Sequence, residues 1–426
     1  MISGNATPKG TSSFARRFSK KSLLDFYSKS NQGLSLSSIG IGMYKGENSY
    51  KGDQEWKASI IKSITNGINI FDTAIRYRNQ RSEKILGSTL SGLISSKKLK
   101  REEVFITSKG GLIGVPKNIS EVLYLSKVVK GEWKVPKKEI YKNIHSIYLP
   151  FLKKQLDISL GNLNMSTIDC YFLHNPELAK GIKNEEEFYQ RINDIFKWLE
   201  GEKEKGRIQS YGIASWNGFR RDINSRPYLD LSELIKIAIH NGGKDHGFRF
   251  IEAPLSIGMP YLANHTLVGK KKSLHSKNFI NFINENGLNF ITSASAYEGK
   301  IEVLLKFIEL FNMIGNSDSK EEDSAPIISL PISENSIIQM MEVILSQKNN
   351  KSIHDILYKG GNKNLSLYPS VLNTVRSYPG VVSSLCGMHS EEFVKENLIL
   401  RSQKKLNPNK VVNMFKSLSL ISNHLK

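Results

Sequence analysis

Cysteine is scarce in this chain of 426 residues. Only Cys170 and Cys386 occur, and neither belongs to a CxxC motif. Two isolated cysteines support neither a disulfide framework nor a cysteine-based zinc site, so a reducing compartment is the simpler expectation and no metal is predicted. Long apolar runs are also missing. No stretch approaches the roughly 18 residues that a membrane-spanning helix needs, so no membrane span is expected.

Acidic residues are absent from the beginning of the chain. Residues 1–24 contain no Asp or Glu and combine many serines with basic side chains: Lys9, Arg16, Arg17, Lys20 and Lys21. This composition is typical of an organellar transit segment, and a disordered basic tail is the alternative. We therefore divide the chain into a basic N-terminal extension at 1–33 and one domain at 34–426. The expected location is mitochondrial or cytoplasmic.

Positive charge is spread along the whole chain. Lys and Arg number 60 against 40 Asp and Glu, which gives a formal net charge of +20. The densest clusters, at 97–101 and 270–272, fall where helix ends or loops would lie. Aromatic residues do not alternate with them as a base-stacking platform requires. These clusters are therefore interpreted as solvated surface, and no nucleic acid is expected as a partner.

Apolar runs typical of strands alternate with helical patterns. Strand-like runs are predicted at 37–44, 68–74, 103–109, 168–174, 208–215, 248–255, 288–295 and 381–387. Apolar residues at three-to-four spacing predict helices between most of them, at 57–66, 82–95, 149–163, 187–205, 231–240 and 277–286. This alternation predicts a parallel (β/α)8 TIM barrel.

The chain is longer than a usual barrel of about 250 residues, and two segments account for much of the excess. Residues 110–145 carry Gly, Pro and aromatic residues and are expected to cover the barrel mouth as a substrate loop. Residues 311–366 include the polar stretch GNSDSKEEDSAP, which predicts a flexible surface excursion. That excursion is also a candidate contact for a protein partner.

Ionisable residues mark the ends of three successive predicted strands. Asp72 lies in the first of these runs, and Tyr77 follows five positions later. Lys109 ends the next run, and His174 ends the third. In β/α barrels, function lies at these strand ends. We therefore expect the four side chains to meet at one face of the barrel.

The chemistry of these four residues suits proton transfer. A Tyr donates a proton near neutral pH only if a nearby positive charge lowers its pKa from about 10. Lys109 can supply that charge and can pair with Asp72, while His174 can orient a carbonyl oxygen. The set therefore predicts hydride transfer to a carbonyl, with Tyr77 as the general acid.

These residues and their flanks resemble the aldo-keto reductases over roughly residues 37–400. The resemblance includes the segments GIGMYKG, SEKILGSTL, SLGNLNMSTIDCYFLHNPE, KGRIQSYGIASWNGFR and RSYPGVVSSLCGMHSEEFVKENL. It implies a (β/α)8 barrel, a small-molecule carbonyl substrate and a nicotinamide cofactor, with NADPH the family expectation and NADH left open. It also implies a catalytic tetrad: Asp72, Tyr77, Lys109 and His174.

The resemblance further implies which residues hold the cofactor. The candidates lie at or after the predicted strands: Gly42, Met43, Tyr44, Ser215, Asn217, Glu252, Ser295, Gly387, Met388, Glu396 and Asn397. Two of these regions depart from the family pattern around the nicotinamide. Glu252 stands where a Gln is expected, and Ala294 stands where many members stack a Tyr.

The basic pair common in members that prefer NADPH is missing as well. Gly387 and Phe393 occupy the positions where Lys and Arg are frequent, which leaves His389 and Arg376 to meet a 2′-phosphate. Three functions therefore stay open. The first is an active NAD(P)H-dependent reductase, and the second is a catalytically weak or inactive barrel that serves as an accessory or binding subunit. The third is a redox sensor that binds NADPH tightly and turns over slowly.

Overall fold

Parallel strands close into a barrel in this computed structural model, which describes residues 1–20, 22, 24–264, 278–295, 365 and 367–423. A short antiparallel hairpin of β1 (Tyr27–Lys29) and β2 (Ser35–Ser37) precedes it. The barrel strands are β3 (Ile39–Gly42), β4 (Ile70–Asp72), β5 (Phe105–Gly110), β6 (Ile168–His174), β7 (Ile208–Ala214), β8 (Phe248–Pro254), β9 (Asn289–Ser293) and β10 (Val381–Cys386). The barrel closes where β10 pairs with β3, so the predicted (β/α)8 fold is confirmed.

Helices alternate with the barrel strands. The helices of the described ranges are α1 (Pro8–Arg17), α2 (Tyr50–Ile64), α3 (Arg81–Ser95), α4 (Glu121–Leu123), α5 (Leu149–Leu163), α6 (Glu185–Glu204), α7 (Leu231–Gly242), α8 (Tyr261–Asn264), α9 (Phe279–Glu285), α10 (Leu367–Arg376), α11 (Glu391–Leu398) and α12 (Pro408–Asn423). Helix α2 begins at Tyr50 rather than at residue 57, because the Ser49 hydroxyl accepts the Gly52 N–H and caps the helix there.

Apolar side chains fill the barrel interior. Ile70, Phe105, Phe172, Phe250 and Ile291 belong to one buried cluster. The rings of Phe105 and Phe250 meet across the barrel, with 5.1 Å between their centroids. Because the interior is filled, the place left for a ligand is at the C-terminal ends of the strands.

The N-terminal extension closes the opposite end of the barrel, which we call the barrel floor. Ala6 of the extension and Leu36 of β2 belong to the same interior cluster as the barrel side chains. The main-chain N–H of Ala6 donates to the Asp169 carboxylate near the start of β6, at 2.6 Å, and α1 buries Phe14 completely. The disordered tail that composition left open is therefore wrong for residues 1–17.

The first predicted insertion, at 110–145, is folded beside the barrel mouth. Helix α4 continues into a wide π-helical turn at Tyr124–Glu132. The Trp133 ring packs on Phe151 of α5 at 5.8 Å between centroids, so this part of the segment lies against a helix. Leu112 lines the cavity described below. Its side chain is the contribution of this segment to the wall of that cavity.

The second predicted insertion, at 311–366, falls outside the described residues apart from residue 365, as does the basic cluster at 270–272. Within the described ranges, no helix has the length and apolar character needed to cross a membrane. In the same ranges, no group of three or more His, Cys, Asp or Glu side chains is arranged to hold a metal ion.

Candidate active site

A cavity of about 730 Å³ opens at the C-terminal ends of the barrel strands. Its wall includes the residues that end six strands: Gly42, Asp72, His174, Ala214, Ser293 and Cys386. Parallel pairing holds these positions at similar levels, since Gly42 lies opposite Asp72 and His174 lies opposite Ala214. The fold therefore brings the ends of separate strands to one cavity.

Lys109 is completely buried beside this cavity. Its Nζ donates to Asp72 Oδ1 and, at 3.2 Å, to the main-chain carbonyl of Thr73. The Thr107 hydroxyl donates to the same Asp72 oxygen. Burial acts to lower the pKa of Lys109, but the neighbouring Asp72 and then Glu252 outweigh burial and hold that pKa above its ordinary value. Lys109 therefore stays positively charged inside the barrel.

Tyr77 lies between Tyr44 and His174 at the cavity wall. The Tyr77 ring centroid is 5.3 Å from that of Tyr44 and 5.8 Å from that of His174, both edge-on. Lys109 Nζ lies 5.0 Å from the same centroid. Burial raises the pKa of Tyr77 more than Lys109 lowers it, so the net lowering expected from the sequence is wrong. The hydroxyl of Tyr77 keeps its proton at neutral pH.

The main chain of His174 is hydrogen-bonded by His145, the last residue of the 110–145 segment. His145 Nε2 lies 2.9 Å from the main-chain oxygen of His174, which can only accept, so His145 is the donor. Gly111 fits between them with φ of +127°, and an added Cβ would lie 2.9 Å from that oxygen. Burial, then the charge of Lys109, holds the pKa of His174 well below its usual value. The imidazole of His174 is therefore neutral.

Glu252 reaches this group from β8, across the barrel from Lys109. Glu252 Oε2 lies 3.2 Å from Lys109 Nζ, and the residue is only 5% exposed. Burial and then the Asp72 charge raise the pKa of Glu252 to about 8. Lys109 therefore faces two carboxyl groups, one of which keeps its proton at neutral pH. The sequence indicated Glu252 as a cofactor contact but gave no signal for its meeting with Lys109.

Eight of the residues predicted to hold the cofactor line the cavity. They are Gly42, Tyr44, Ser215, Glu252, Ser295, Gly387, Glu396 and Asn397. Met43 and Met388 do not, because both side chains are fully buried in the apolar core. A contact of either residue with the cofactor through its main chain stays a prediction.

The contact of Asn217 with a cofactor also stays a prediction. This residue is not among the cavity-lining residues, and its main-chain N–H donates to Glu177 Oε1 at 2.9 Å. Trp216, which directly follows Ser215, lines the cavity in its place and is 39% exposed. Trp216 was not predicted, because the family pattern pointed to a Ser-Asn pair that has Trp216 as its intervening residue.

A second part of the cavity wall is formed before and within α11. His389 and Phe393 lie there with 4.9 Å between their ring centroids. Lys45 lines the same cavity, and its Cγ would lie 3.5 Å from a Cβ placed on Gly387. Lys45 was not predicted, although its position directly after Tyr44 in the segment MYKG was an available signal.

Arg376 is not available to a ligand. It is fully buried on α10 and donates to the Asn373 and Ser38 side chains and to the Gln403 carbonyl. Since Ser38 directly precedes β3, this arginine lies at the barrel floor, away from the cavity. The structure therefore corrects its predicted role beside a 2′-phosphate.

The turn after Tyr77 adopts an unusual backbone conformation. Arg78, Asn79 and Gln80 have φ values of 47°, 54° and 67°, which non-glycine residues rarely adopt. The Arg78 side chain holds this turn by donating to the Glu47 carbonyl at 3.0 Å and to the Asp53 carboxylate at 2.8 Å. These bonds tie the turn to the segment between β3 and α2 and so fix the backbone next to Tyr77.

Comparison with known proteins gives matches at the level of family and fold. Residues 38–225 match the aldo/keto reductase family. The chain is 24% identical over 286 residues to the NAD(P)H-dependent D-xylose reductase I,II of Candida tropicalis, covering 58% of this chain and 76% of that protein. Against two further D-xylose reductases the match spans 63% and 64% of their length.

Solved structures show the same fold at low sequence identity. The glycerol dehydrogenase of Gluconobacter oxydans is 14% identical, with a TM-score of 0.55 and coverage of 93% of this chain and 96% of that one. An aldo/keto reductase of Klebsiella pneumoniae in complex with NADP and acetate is 13% identical, with a TM-score of 0.51 and coverage of 92% and 94%. At these identities the likeness concerns the fold alone.

Proposed function

We propose that the chain is an aldo-keto reductase that reduces an aldehyde or ketone with a hydride from NADPH or NADH, because residues 38–225 match the aldo/keto reductase family. Tyr77 is the proposed general acid. The observation that carries the proposal is the position of Tyr77 between His174 and the buried Lys109, at the wall of one cavity. The proposed substrate is a small carbonyl compound.

Unpartnered polar atoms along the cavity support the presence of a ligand there. Three cavity-lining residues each have a buried side-chain atom without a hydrogen-bond partner: His174 Nδ1, His389 Nδ1 and Asn397 Oδ1. Buried polar atoms in proteins are nearly always paired, so atoms of this kind fit a polar ligand. The relatives described as NAD(P)H-dependent favour a nicotinamide cofactor as that ligand, with NADPH the first choice.

The proposed roles follow from the contacts of each side chain. A bound nicotinamide cofactor supplies the hydride. Tyr77 donates its hydroxyl proton to the carbonyl oxygen and is left as a phenolate, which the charge of Lys109 stabilises. Asp72 keeps Lys109 charged and in place, and the neutral His174 orients the carbonyl by a hydrogen bond.

Replacing the Tyr77 hydroxyl tests this assignment. Tyr77→Phe is expected to lower kcat by about a hundredfold or more and to leave the Kd for NADPH nearly unchanged, because the hydroxyl acts in the chemical step. Tyr171→Phe is the matched control, since its buried hydroxyl has no hydrogen-bond partner and Tyr171 is not among the cavity-lining residues. Equal turnover in Tyr77→Phe and the wild type would remove Tyr77 from the mechanism.

A reductase-derived accessory subunit is the second candidate function. Two observations favour it: Glu252 provides a carboxyl group at the position expected for an amide, and Ala294 lacks an aromatic ring to cover a nicotinamide. Titration with NADPH and NADH, followed by quenching of Trp216 fluorescence, separates the two functions, with Trp216→Phe as the control for the signal. Micromolar binding with carbonyl turnover supports the reductase. No binding at millimolar cofactor supports the accessory subunit.

A further inference from the structure

The ion pair at the centre of the site contains one carboxyl group more than its single lysine needs. Asp72 already receives a hydrogen bond from Lys109 and another from the Thr107 hydroxyl. Glu252 Oε2 lies 3.2 Å from the same Lys109 Nζ, as a second carboxyl group within salt-bridge distance. This second carboxyl group is therefore held close to Lys109 without being needed to pair with it.

Among the described residues, Lys109 is the cation that lies within salt-bridge distance of the Glu252 carboxyl group. The neighbours of Glu252 across the strand ladder, Ala214 on β7 and Ile291 on β9, are uncharged. The ionisable groups that act on Glu252, or on which it acts, come from across the barrel: Asp72, Tyr77, Lys109 and Cys170. Burial keeps the Cys170 thiol protonated by raising its pKa well above the usual value, so the local charge is set by Asp72, Glu252 and Lys109.

The proton on Glu252 decides the net charge of this group. With Glu252 neutral, Asp72 and Lys109 cancel. With Glu252 ionised, two negative charges face one positive charge in a buried place, where such an excess is costly. Glu252 lines the cavity, so its proton can exchange with water there. Lys109 is completely buried and is not among the cavity-lining residues, so it has no such direct access.

We propose that Glu252 is a positioning residue that must carry its proton for carbonyl reduction to proceed. The inference rests on the proposed function and adds a control of Tyr77 through Lys109. Loss of the Glu252 proton to water breaks the carboxylic O–H bond and leaves a carboxylate beside Lys109. The new negative charge offsets part of the positive charge of Lys109, so Lys109 stabilises the Tyr77 phenolate less. Proton donation by Tyr77 therefore becomes less favourable.

The pH profile of turnover tests the proposal. In the wild type, kcat/KM for carbonyl reduction is expected to fall about tenfold per pH unit above about pH 8, where Glu252 loses its proton. Glu252→Gln removes the titrating group at constant shape and should abolish this alkaline limb. Glu252→Asp keeps a carboxyl group and should move the limb without removing it. Glu200→Gln, the same chemical change at a buried residue beneath β7, should leave the limb as in the wild type.

A spectroscopic measurement keeps the inference separate from the proposed function. The infrared difference spectrum between about pH 6 and about pH 10 should contain a carboxylic-acid C=O band that is lost in Glu252→Gln. If the wild type and Glu252→Gln have the same alkaline limb, or the band persists in the variant, the role of Glu252 is rejected while the reductase stands. If neither protein binds NADPH or turns over at any pH, the proposed function is rejected and the inference falls with it.

Discussion

At the scale of single residues, the site depends on buried groups whose protonation is set by their neighbours. His145 is an example outside the four predicted catalytic residues. It is fully buried, its Nε2 donates to the His174 carbonyl, and burial lowers its pKa to about 4. The neutral form of His145 is therefore part of the folded site.

This shifted pKa makes stability depend on pH. Unfolding restores an ordinary histidine, which binds a proton below about pH 6.5, whereas the folded His145 resists protonation down to about pH 4. The unfolded state therefore gains protons first as the pH falls. We expect the wild type to lose about 3 kcal/mol more than His145→Gln between these two pH values. Urea unfolding across this range measures the difference.

A matched variant checks that the effect comes from burial. His240→Gln makes the same change at an exposed position near the end of α7 and should follow the wild-type dependence on pH. Equal curves for His145→Gln and the wild type would contradict the assignment of this pH dependence to His145.

The sequence predicted those site residues that lie at the C-terminal ends of neighbouring barrel strands. Asp72, Lys109 and His174 lie at the C-terminal ends of three neighbouring strands, and Tyr77 follows the first of them. Parallel pairing brings such positions together. The contact of Lys109 with Glu252 could not be predicted in this way, because β5 and β8 are not paired and their side chains meet across the interior. Trp216 and Lys45 were not predicted, because the family pattern pointed to their neighbours in the chain, Ser215 and Asn217 beside Trp216 and Tyr44 beside Lys45.

At the scale of elements, the barrel floor is the part that the sequence described least well. The strand and helix periodicity predicted the barrel elements, while α1 and the hairpin of β1 and β2 gave no comparable pattern. Their structure depends on distant partners. Ala6 binds Asp169, and the Asn69 side chain receives the Ser37 N–H at 2.9 Å. A local composition rule cannot register contacts of this kind.

Removing the buried ring of α1 tests the importance of the floor. Phe14 is completely buried in the main apolar cluster, so Phe14→Ala is expected to cost about 3–5 kcal/mol in the free energy of unfolding. Lys9→Ala on the exposed side of the same helix is the control and should change stability by less than about 0.5 kcal/mol. Denaturant unfolding measures both, and a Phe14→Ala value like that of the control would mean that α1 contributes little.

At the scale of the whole molecule, the net positive charge of the chain is opposite in sign to the charge of the proposed cofactor. The net charge of +20 is that of the full sequence, and NADPH is an anion with one phosphate more than NADH. A positive protein attracts such ligands from a distance, and salt screens the attraction. We therefore expect the Kd for NADPH to rise between about 0.02 M and about 0.5 M ionic strength, and to rise less for NADH. The fluorescence titration described above measures both, and identical salt slopes would show that no cation faces the additional phosphate.

The closure of the barrel has a consequence for how the chain acquires its structure during synthesis. The first barrel strand, β3, cannot complete its pairing until β10 has been synthesised, because Ile39 of β3 pairs with Ser384 of β10. The barrel floor also forms late. Ala6 donates a hydrogen bond to Asp169, 163 positions later, and the Ser38 hydroxyl accepts one from Arg376, 338 positions later. A ribosome therefore releases nearly the whole chain before the ring can close, and the early strands spend that time with an open edge. We expect this protein to depend on chaperones while it is being translated. Its yield of folded protein should respond more strongly to the speed of translation than the yield of a protein built from local contacts.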